Sequence, residues 1–352
     1  MTSMLSNFEM DPNVRRQSEP HANITKPRLG FLGVGWIGRN RMEAMVKSGF
    51  AEVAAIADSV EDNAAEASKI APEADRVSSL KELLKLDLDG VVIATPSALH
   101  AEQAIAALES GVAVFCQKPL ARTRAETERV IDAARANNQL LAVDLSYRFT
   151  SGIQQLRRVV QSGELGRIFA VDLVFHNAYG PDKAWFYDFK LAGGGCVIDL
   201  GIHFVDLALW ILGYPQVLEA TSRLFHQGQP LSSPPNTVED YATARIDLSN
   251  GVALQLNCSW KLHAGCDAII RAGFYGANGG VEFRNVNGSF YEFRAERFYG
   301  TRREALAEGP EDWGGRAAVD WLKRLAEGQT YDPAVEGLID VARALDRIYG
   351  RE

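Results

Sequence analysis

The chain has 352 residues, of which 47% are hydrophobic and 23% charged, and its net charge at pH 7 is −8. A single hydrophobic core rarely serves more than about 250–300 residues, so this length predicts two domains. With 37 basic and 45 acidic residues and no basic run, the sequence lacks the charge pattern of a nucleic-acid-binding protein, and no nucleic-acid partner is expected.

The first 27 residues are polar, and we expect a flexible arm or an arm that packs on a neighbouring subunit. They contain no apolar stretch long enough for a signal peptide. No later segment reaches the ~18 uninterrupted apolar residues that a membrane helix needs. The four cysteines show no CxxC spacing, which is typical of buried thiols in a long chain. These features predict a cytoplasmic protein with no membrane partner.

Residues 28–147 alternate short apolar runs, such as "GVVIAT" and "GVAVFC", with stretches of helical periodicity such as "TRAETERVIDAARANN". Strands that are apolar on both faces and separated by helices form a parallel sheet covered on each side. With right-handed crossovers, the fold class of this domain is a doubly wound α/β sheet.

Residues 148–352 follow a different pattern. Asn-Gly pairs at 250–251, 278–279 and 287–288 separate strand-like segments, and this pair favours the tight turns of hairpins. Two helical segments close the chain. We therefore predict a second α+β domain with a largely antiparallel sheet.

The first chemical motif is GxGxxG, formed by Gly33, Gly35, Trp36, Ile37 and Gly38 between a strand and a helix. In this context the first glycine permits a tight turn, the second lets a pyrophosphate approach the backbone, and the third lets helix and strand pack closely. The free N–H groups of the helix then face the phosphates. The motif predicts a dinucleotide site.

Asp58 ends the second strand, twenty positions after Gly38. A carboxylate there accepts hydrogen bonds from the adenosine ribose and repels a 2′-phosphate, so NAD is favoured over NADP. We assign Ser59 to the same site. Arg39 is the nearby cation that would soften this preference, and a purely local capping role for Asp58 remains an alternative.

Ligands of such sheets lie beyond the carboxyl ends of the strands. Thr95 and Pro96 follow the strand "GVVIAT", and we expect them beside the nicotinamide. His100 comes one helical turn later. We predict that it contacts the ligand, and a histidine on the helix surface is the alternative.

Lys118 and Gln117 end the neighbouring strand in "VFCQKPLA", and we assign Gln117 to the cofactor site. An ammonium at this edge would hold a substrate hydroxyl as hydride leaves, or polarise a carbonyl in the reverse direction. The residue after it is a proline, and an X-Pro bond is where a cis peptide is tolerated.

Asp199 and His203 lie four residues apart in "AGGGCVIDLGIHFVDLALWILG", so both face one side of a helix. The positive end of the helix favours a neutral, base-competent imidazole, which would take a hydroxyl proton. Cys196 and Asp206 are on the same side, so a zinc site is an alternative, although no matching ligand cluster occurs elsewhere; we expect no metal.

An aromatic and polar segment, "FHNAYGPDKAWFYDFKLAGGG", precedes this helix. We predict that its residues His176, Tyr179 and Trp185 contact a polyhydroxylated ring, together with Arg148. Trp260 is a further candidate. Packing of the aromatic side chains against the sheet or another subunit is the alternative.

Several motifs occur in an order that resembles the Gfo/Idh/MocA family, the glucose–fructose oxidoreductase and inositol dehydrogenase family. They are the GxGxxG opening, the acidic end of strand two, "TPSALH", the Lys-Pro pair, "YRF" (147–149) and the GGxxxDxGxH helix. The resemblance implies a Rossmann domain followed by an α/β domain with an open antiparallel sheet, with the active site between them.

The resemblance also implies that Lys118, Asp199 and His203 are the catalytic residues. The family usually has Glu before Lys-Pro, where this chain has Gln117. Loss of that carboxylate removes a possible charge partner, which predicts a lower pKa for Lys118.

We therefore predict an NAD(H)-dependent oxidoreductase that transfers hydride between the nicotinamide and a ring secondary alcohol or ketone of a sugar, cyclitol or related polyol. Two alternatives remain open: a catalytically silent sugar sensor on the same fold, and an NADPH-dependent ketoreductase or dihydrodiol dehydrogenase. An exposed sheet face commonly pairs with another subunit, so a homodimer or homotetramer is expected.

Overall fold

The computed structural model describes residues 26–352, so the predicted N-terminal arm lies outside the described residues except for its last two positions. The strands are β1 (Arg28–Leu32), β2 (Glu52–Ala57), β3 (Asp75–Val77), β4 (Gly90–Ile93), β5 (Ala113–Cys116), β6 (Leu141–Val143), β7 (Ile168–Asn177), β8 (Val217–His226), β9 (Gln229–Pro230), β10 (Tyr241–Leu248), β11 (Ala253–Ser259), β12 (Ala268–Gly276), β13 (Gly280–Asn285), β14 (Glu292–Tyr299) and β15 (Arg302–Pro310).

The α-helices are α1 (Trp36–Ser48), α2 (Glu61–Ser68), α3 (Leu80–Leu83), α4 (Ser97–Glu109), α5 (Arg124–Ala136), α6 (Ser151–Gln161), α7 (Phe189–Ala192), α8 (Ile202–Ile211), α9 (Arg316–Ala326) and α10 (Gly337–Ile348). Three 3₁₀ turns (Ser146–Phe149, Ala184–Tyr187 and Pro333–Glu336) and one π-helical turn (Val197–Gly201) complete the regular structure.

The first domain is a six-stranded sheet in the order β3-β2-β1-β4-β5-β6, and all its strands are parallel. Strands β4 and β5 are buried along their whole length, as expected for a sheet covered on both faces. The predicted doubly wound Rossmann architecture is therefore confirmed. The strand order reverses between β1 and β4, which opens a crevice at the carboxyl ends of these strands.

The domain division at residue 147 needs a correction, because α9 returns to the first domain. Its Trp321 is fully buried with Phe31 and Phe115, and the ring fills the space beside Gly90, where an added Cβ would lie 2.7 Å from it. Helices α4 and α5 pack their apolar residues into the core on the other face of the sheet. The opposite face of the sheet carries α1, which leaves β4 and β5 uncovered there. Helix α9, from late in the chain, covers this part of the face.

The second domain is built on a nine-stranded sheet in the order β15-β14-β13-β12-β7-β11-β10-β8-β9. Within this sheet, only the β7–β11 pair of the described strands is parallel, so the predicted, largely antiparallel sheet is confirmed. The three Asn-Gly pairs lie in the hairpin connections β10–β11, β12–β13 and β13–β14.

One face of the second sheet packs against α6, α8 and α10, and the opposite face carries its polar residues. The helical stretch Phe189–Ile211 is long and apolar enough to cross a membrane, but 83% of its most apolar window is buried inside the protein. It therefore packs as the core helix of this domain, and it brings Asp199 and His203 to the carboxyl edge of the first sheet.

Candidate active site

The glycine loop has the three properties that a dinucleotide site requires. Gly33 has a φ of 83°, a conformation that favours glycine. An added Cβ on Gly38 would lie 2.2 Å from the Gly33 carbonyl oxygen, so only glycine allows α1 to pack this closely. At Gly35, in contrast, a Cβ would have no neighbour within 4 Å. The backbone is thus open where a pyrophosphate would approach.

The beginning of α1 is suited to an anion. Within the described chain, no side chain caps this helix and no acidic residue lies in its first turn, so its free N–H groups and positive end are not neutralised. Trp36 is 67% exposed and Ile37 is partly exposed, which places both at the opening of the crevice. These residues fit the phosphate groups of a dinucleotide.

Asp58 lies directly after β2 and already makes local hydrogen bonds. Its Oδ2 accepts a hydrogen bond from Val34 N at 2.7 Å, and its Oδ1 accepts one from Val60 N at 2.8 Å. The Asn63 amide also approaches the two oxygens, at 3.4 and 3.5 Å. These contacts are long, so a ribose hydroxyl that displaced them would find a lone pair on each oxygen. Ser59 beside it is exposed, and Arg39 reaches toward the Val34 carbonyl oxygen at 3.4 Å. The carboxylate therefore orders the glycine loop and remains available to a cofactor.

We expect Asp58→Ala to weaken NADH binding roughly 10- to 100-fold, the range that corresponds to lost hydrogen bonds to a charged group. NADPH should lose less, because its phosphate no longer meets a negative charge. Fluorescence titration of both reduced cofactors measures the ratio, and the exposed Asp62→Ala on α2 is the control. A native protein that prefers NADPH would contradict the role assigned to Asp58.

His100 has a different role from the one predicted. It is 1% exposed, and its two ring nitrogens lie 2.7 Å from the carbonyl oxygens of Pro119 and Thr95. Burial lowers its pKa. The ring thus joins the segments after β4 and β5, and it is neither on the helix surface nor free to bind a ligand. Thr95 and Pro96 stay at the predicted strand edge, with the Thr95 hydroxyl bonded to Gln103.

Lys118 and Asp199 come together from the two domains. The lysine Nζ lies 2.5 Å from Asp199 Oδ1 and 2.7 Å from the Asp199 carbonyl oxygen, and both side chains are mostly buried. The Lys118–Pro119 peptide bond is cis. The absence of a carboxylate at position 117 therefore does not leave the ammonium without a charge partner.

His203 lies in α8, just after the π-helical turn that contains Asp199. Its Nδ1 is buried and has no hydrogen-bond partner among the described residues, while Tyr147 packs against the ring at 5.2 Å. Burial, together with the positive charges of Lys118 and Arg41, holds the pKa of His203 well below its ordinary value of 6.5. A neutral imidazole is the form that accepts a proton.

Asp199 is bonded to residues other than His203. Asp199 bonds through Oδ1 to Lys118 and through Oδ2 to Trp260 Nε1 at 3.0 Å, and no bond joins it to His203 within residues 26–352. The cause is tertiary, because both partners of the carboxylate come from other elements. π-Helical turns are rare and frequently lie at functional sites, which fits the position of this one.

The aromatic segment forms a wall against Trp260, whose N–H bonds to Asp199. Trp185 stacks on Phe186 at 3.8 Å, while Phe186 and Tyr187 approach Trp260 edge-on. Trp260 itself is 3% exposed, so it supports this wall and is not a direct ligand contact. Tyr179, near the start of the segment, is exposed, and its hydroxyl donates to Asp267, the residue before β12.

Two of the predicted substrate contacts, His176 and Arg148, are bonded to other residues of the protein. His176 lies one position after Phe175, whose side chain is in the core with Tyr147, and successive residues of a strand face opposite sides. His176 therefore lies on the outer face of the sheet, bonded to Ser259 Oγ at 2.8 Å and stacked on Tyr241.

The guanidinium of Arg148 is also bonded to other side chains. Its guanidinium forms a two-pronged ion pair with Asp206, which is fully buried, and a 2.8 Å hydrogen bond to the Tyr214 hydroxyl. A charge buried this deeply needs a partner, so the residue ties the end of the first domain to α8.

These contacts also bear on the zinc alternative, because Asp206 pairs with Arg148 and Cys196 lies against Cys258. Among residues 26–352, no group of three or more His, Cys, Asp or Glu side chains is arranged to hold a metal ion.

Gln117 belongs to a buried network that the sequence analysis missed. Its amide donates to Asp144 Oδ2, and the same carboxylate lies 2.5 Å from Arg41 Nε and accepts from the Ser146 hydroxyl. All four side chains are buried. The network connects α1, which follows the glycine loop, to the residue before Lys118. The position of Asp144 after β6, at the same sheet edge, was the available signal.

Replacing Gln117 by Glu should destabilise the fold by about 1–3 kcal/mol, because it removes a buried donor and places a second carboxylate beside Asp144. The pKa of the new carboxyl would be raised, so the loss should grow as pH rises and shrink as the group is protonated. Urea denaturation measures the change. Adding Asp144→Asn should restore stability, whereas Gln103→Glu, which keeps the acceptor for Thr95, should cost little. An unaffected Gln117→Glu variant would contradict this description of the network.

A second missed residue is Glu239, which is fully buried. Its carboxylate accepts hydrogen bonds from Gly195 N, Val197 N and the Tyr349 hydroxyl at 2.8–2.9 Å. Burial raises its pKa, while the N–H groups act in the opposite direction. Glu239 thus anchors the start of the helical segment that carries Asp199.

Comparison with known proteins agrees with this geometry. Residues 27–145 match the model of the oxidoreductase family with an NAD-binding Rossmann fold, and residues 153–282 match the GFO/IDH/MocA C-terminal domain. The chain is 32% identical over 260 residues to the protein named as the oxidoreductase subunit of a UDP-kanosamine synthase in Amycolatopsis mediterranei, covering 69% of this chain and 71% of that protein.

Two further proteins are similar. D-glucoside 3-dehydrogenase of Escherichia coli is 34% identical over 56% of this chain, and the aligned part spans 60% of that enzyme. Levoglucosan dehydrogenase, solved with NADH and levoglucosan, has a TM-score of 0.78 at 24% identity and covers 92% of this chain and 96% of that one, a likeness that concerns the fold. With both family models matched in order, the chain belongs to the Gfo/Idh/MocA family of NAD-binding oxidoreductases.

Proposed function

We propose that this protein is an NAD(H)-dependent dehydrogenase that oxidises a ring secondary alcohol of a sugar, cyclitol or related polyol, or reduces the corresponding ketone. One observation carries the proposal. The Lys118 ammonium of the first domain lies 2.5 Å from Asp199 on the helical segment that also bears His203, at the sheet edge where the glycine loop opens.

Lys118 and His203 have separate roles in the proposed reaction. In the oxidation direction, Lys118 donates a hydrogen bond to the substrate oxygen and stabilises the charge that develops there. His203 takes the hydroxyl proton through Nε2, because Nδ1 is buried and the low pKa of the ring keeps it neutral. NAD, when bound, supplies the hydride acceptor, and the glycine loop and Asp58 are the residues that would hold it.

The substrate class rests on the wall beside the site and on the relatives. Trp185 stacks on Phe186, and Phe186 and Tyr187 pack on Trp260, whose N–H bonds to Asp199. Such aromatic faces and edges suit the mixed polar and apolar surface of a sugar ring. Two of the similar proteins are named for a glucoside and for levoglucosan, both of which are cyclic polyols.

We further propose that the protein is a homodimer or homotetramer that associates through the outer face of the second sheet. Residues of both charges lie there, including Asp172, Arg271, Glu282 and Arg284, so the face can complement a copy of itself. All four cysteines are free thiols, which supports a reducing, cytoplasmic location. The chain has more acidic than basic residues, which argues against a nucleic-acid partner.

The test is to incubate the protein with NAD and a panel of cyclitols, aldoses and sugar acids and to record the absorbance of reduced cofactor, with His203→Ala as the blank. Turnover of at least one ring alcohol supports the proposal. Tight NADH binding without turnover of any compound would overturn it in favour of a sugar sensor. Turnover with NADP alone would favour the ketoreductase alternative.

A further inference from the structure

Trp260 follows β11 and lies on the inner face of the second sheet, behind the site. An indole has one polar group, a donor N–H, and here it donates to Asp199 Oδ2 at 3.0 Å. The ring itself is 3% exposed. A buried indole usually finds a hydrogen-bond partner, and the partner chosen here is the carboxylate at the centre of the site.

With this hydrogen bond, both carboxylate oxygens of Asp199 have a donor. Lys118 occupies Oδ1 at 2.5 Å and Trp260 occupies Oδ2. His203, four residues later and on the same side of the helix, has a buried Nδ1 with no partner in the described part of the chain. Both carboxylate oxygens of Asp199 therefore have a donor from another element, and neither is bonded to His203 among the described residues.

Trp260 also connects Asp199 to the segment that faces the substrate. Phe186 and Tyr187 lie edge-on to the indole at 6.4 and 5.7 Å. The Lys261 ammonium covers the Tyr187 ring at 4.8 Å, and the Tyr187 hydroxyl donates to the Pro181 carbonyl oxygen. Trp260 thus lies between Asp199 and the aromatic side chains of this segment.

We propose that Trp260 is a positioning residue for the reaction, whose N–H keeps Asp199 turned toward Lys118 so that the ammonium and the imidazole act on the substrate oxygen as separate groups. This inference rests on the proposed function. The titratable or charged groups around His203 are Lys118 after β5, Arg41 on α1, Asp199 and Asp206 on its own helical segment, Arg148 paired with Asp206, and Tyr147 in the 3₁₀ turn.

The first experiment measures His203 and needs no turnover. In Trp260→Phe the aromatic ring remains and the N–H is lost, so Asp199 Oδ2 is released and can accept a bond from His203 Nδ1. A nearby carboxylate stabilises the imidazolium, so the His203 midpoint in a histidine NMR titration should move to higher pH than in the native protein. His203→Ala identifies the signal. Phe186→Leu, which loosens the packing on Trp260 but keeps its N–H, should leave the midpoint unchanged.

The second experiment measures kinetics. Trp260→Phe should lower kcat roughly 10- to 100-fold, the range for a lost hydrogen bond to a charged group, and leave the Kd for NADH unchanged, because the glycine loop is untouched. Phe186→Leu should act mainly on KM. An unchanged His203 midpoint together with an unchanged kcat would overturn the proposal and leave Trp260 a packing residue.

A third measurement covers the case in which Trp260→Phe does not fold. In the native protein, whose six tryptophans give six indole N–H signals, the Trp260 signal should exchange slowly and should shift in Asp199→Asn. An unshifted signal would also overturn the proposal. If the native protein turns over no compound in the panel, the proposed function fails, whereas the NMR results still decide whether Trp260 controls Asp199 and His203.

Discussion

Replacing His203 by alanine is expected to lower kcat for alcohol oxidation by roughly 10²- to 10⁴-fold, the usual contribution of a positioned general base. The expectation rests on three features of the ring: it is neutral, its Nδ1 is enclosed, and it lies beside the Lys118–Asp199 pair. Steady-state turnover with a substrate from the panel measures the loss. The Kd for NADH should stay the same, because the glycine loop and Asp58 belong to other elements.

The pH profile gives the same role a separate test. Because burial and two nearby cations lower the pKa of His203 below 6.5, the base stays neutral as pH falls from 8 to 6.5, and the acid limb of kcat/KM should lie below 6.5. His226→Ala, at the end of β8, is the control with an unchanged profile. A fully active His203→Ala variant, or an acid limb above 6.5, would remove His203 from this role.

The second large effect is expected at Lys118. Lys118→Met keeps the length of the side chain and removes the ammonium, so kcat/KM should fall roughly 10²- to 10³-fold, as when a donor to a developing oxyanion is lost. The variant also leaves Asp199 with one partner fewer in a mostly buried setting. Part of the measured change will therefore be a loss of stability.

A double variant separates these two effects. Adding Asp199→Asn to Lys118→Met removes the unpaired charge, so thermal stability should recover while turnover stays low. Lys118→Arg retains a cation with a different shape and should keep part of the activity. If Lys118→Met turned over substrate at the native rate, the lysine would serve only to join the two domains.

Much of the fold could be predicted because its signals are local. Runs that are apolar on both faces predict a covered parallel sheet, and Gly33 and Gly38 sit where no other residue fits. The Asn-Gly pairs lie in the hairpin connections because this dipeptide favours the backbone angles of a tight turn. In contrast, β3 has three residues and none of them is buried, so neither alternation nor an apolar run marked it.

The return of α9 could not be predicted from its own residues. Its apolar stripe shows that it packs against something, but the surface that it covers is defined by the crossovers of the first domain. Trp321 fits there because Gly90 leaves room for it, and these residues are far apart in the chain. Residue 147 lies between the two sheets in the chain, whereas α9, which comes later, packs in the first domain.

By itself, the sequence determined the two-sheet architecture, the glycine loop and the presence of a lysine, an aspartate and a histidine at the same edge. Only the tertiary structure decided which of them are bonded. Lys118 and Asp199 are 81 positions apart, and their pairing depends on how the two domains pack. Arg41 and Asp144 are 103 positions apart, and their pairing depends on how α1 packs beside the end of β6 within the first domain. The spacing of Asp199 and His203 placed both on one side of a helix, but the donor to Asp199 Oδ2 is Trp260, which follows β11 of the second sheet. Periodicity and turn chemistry are properties of neighbouring residues, whereas the choice among buried hydrogen-bond partners is made by distance in the folded chain.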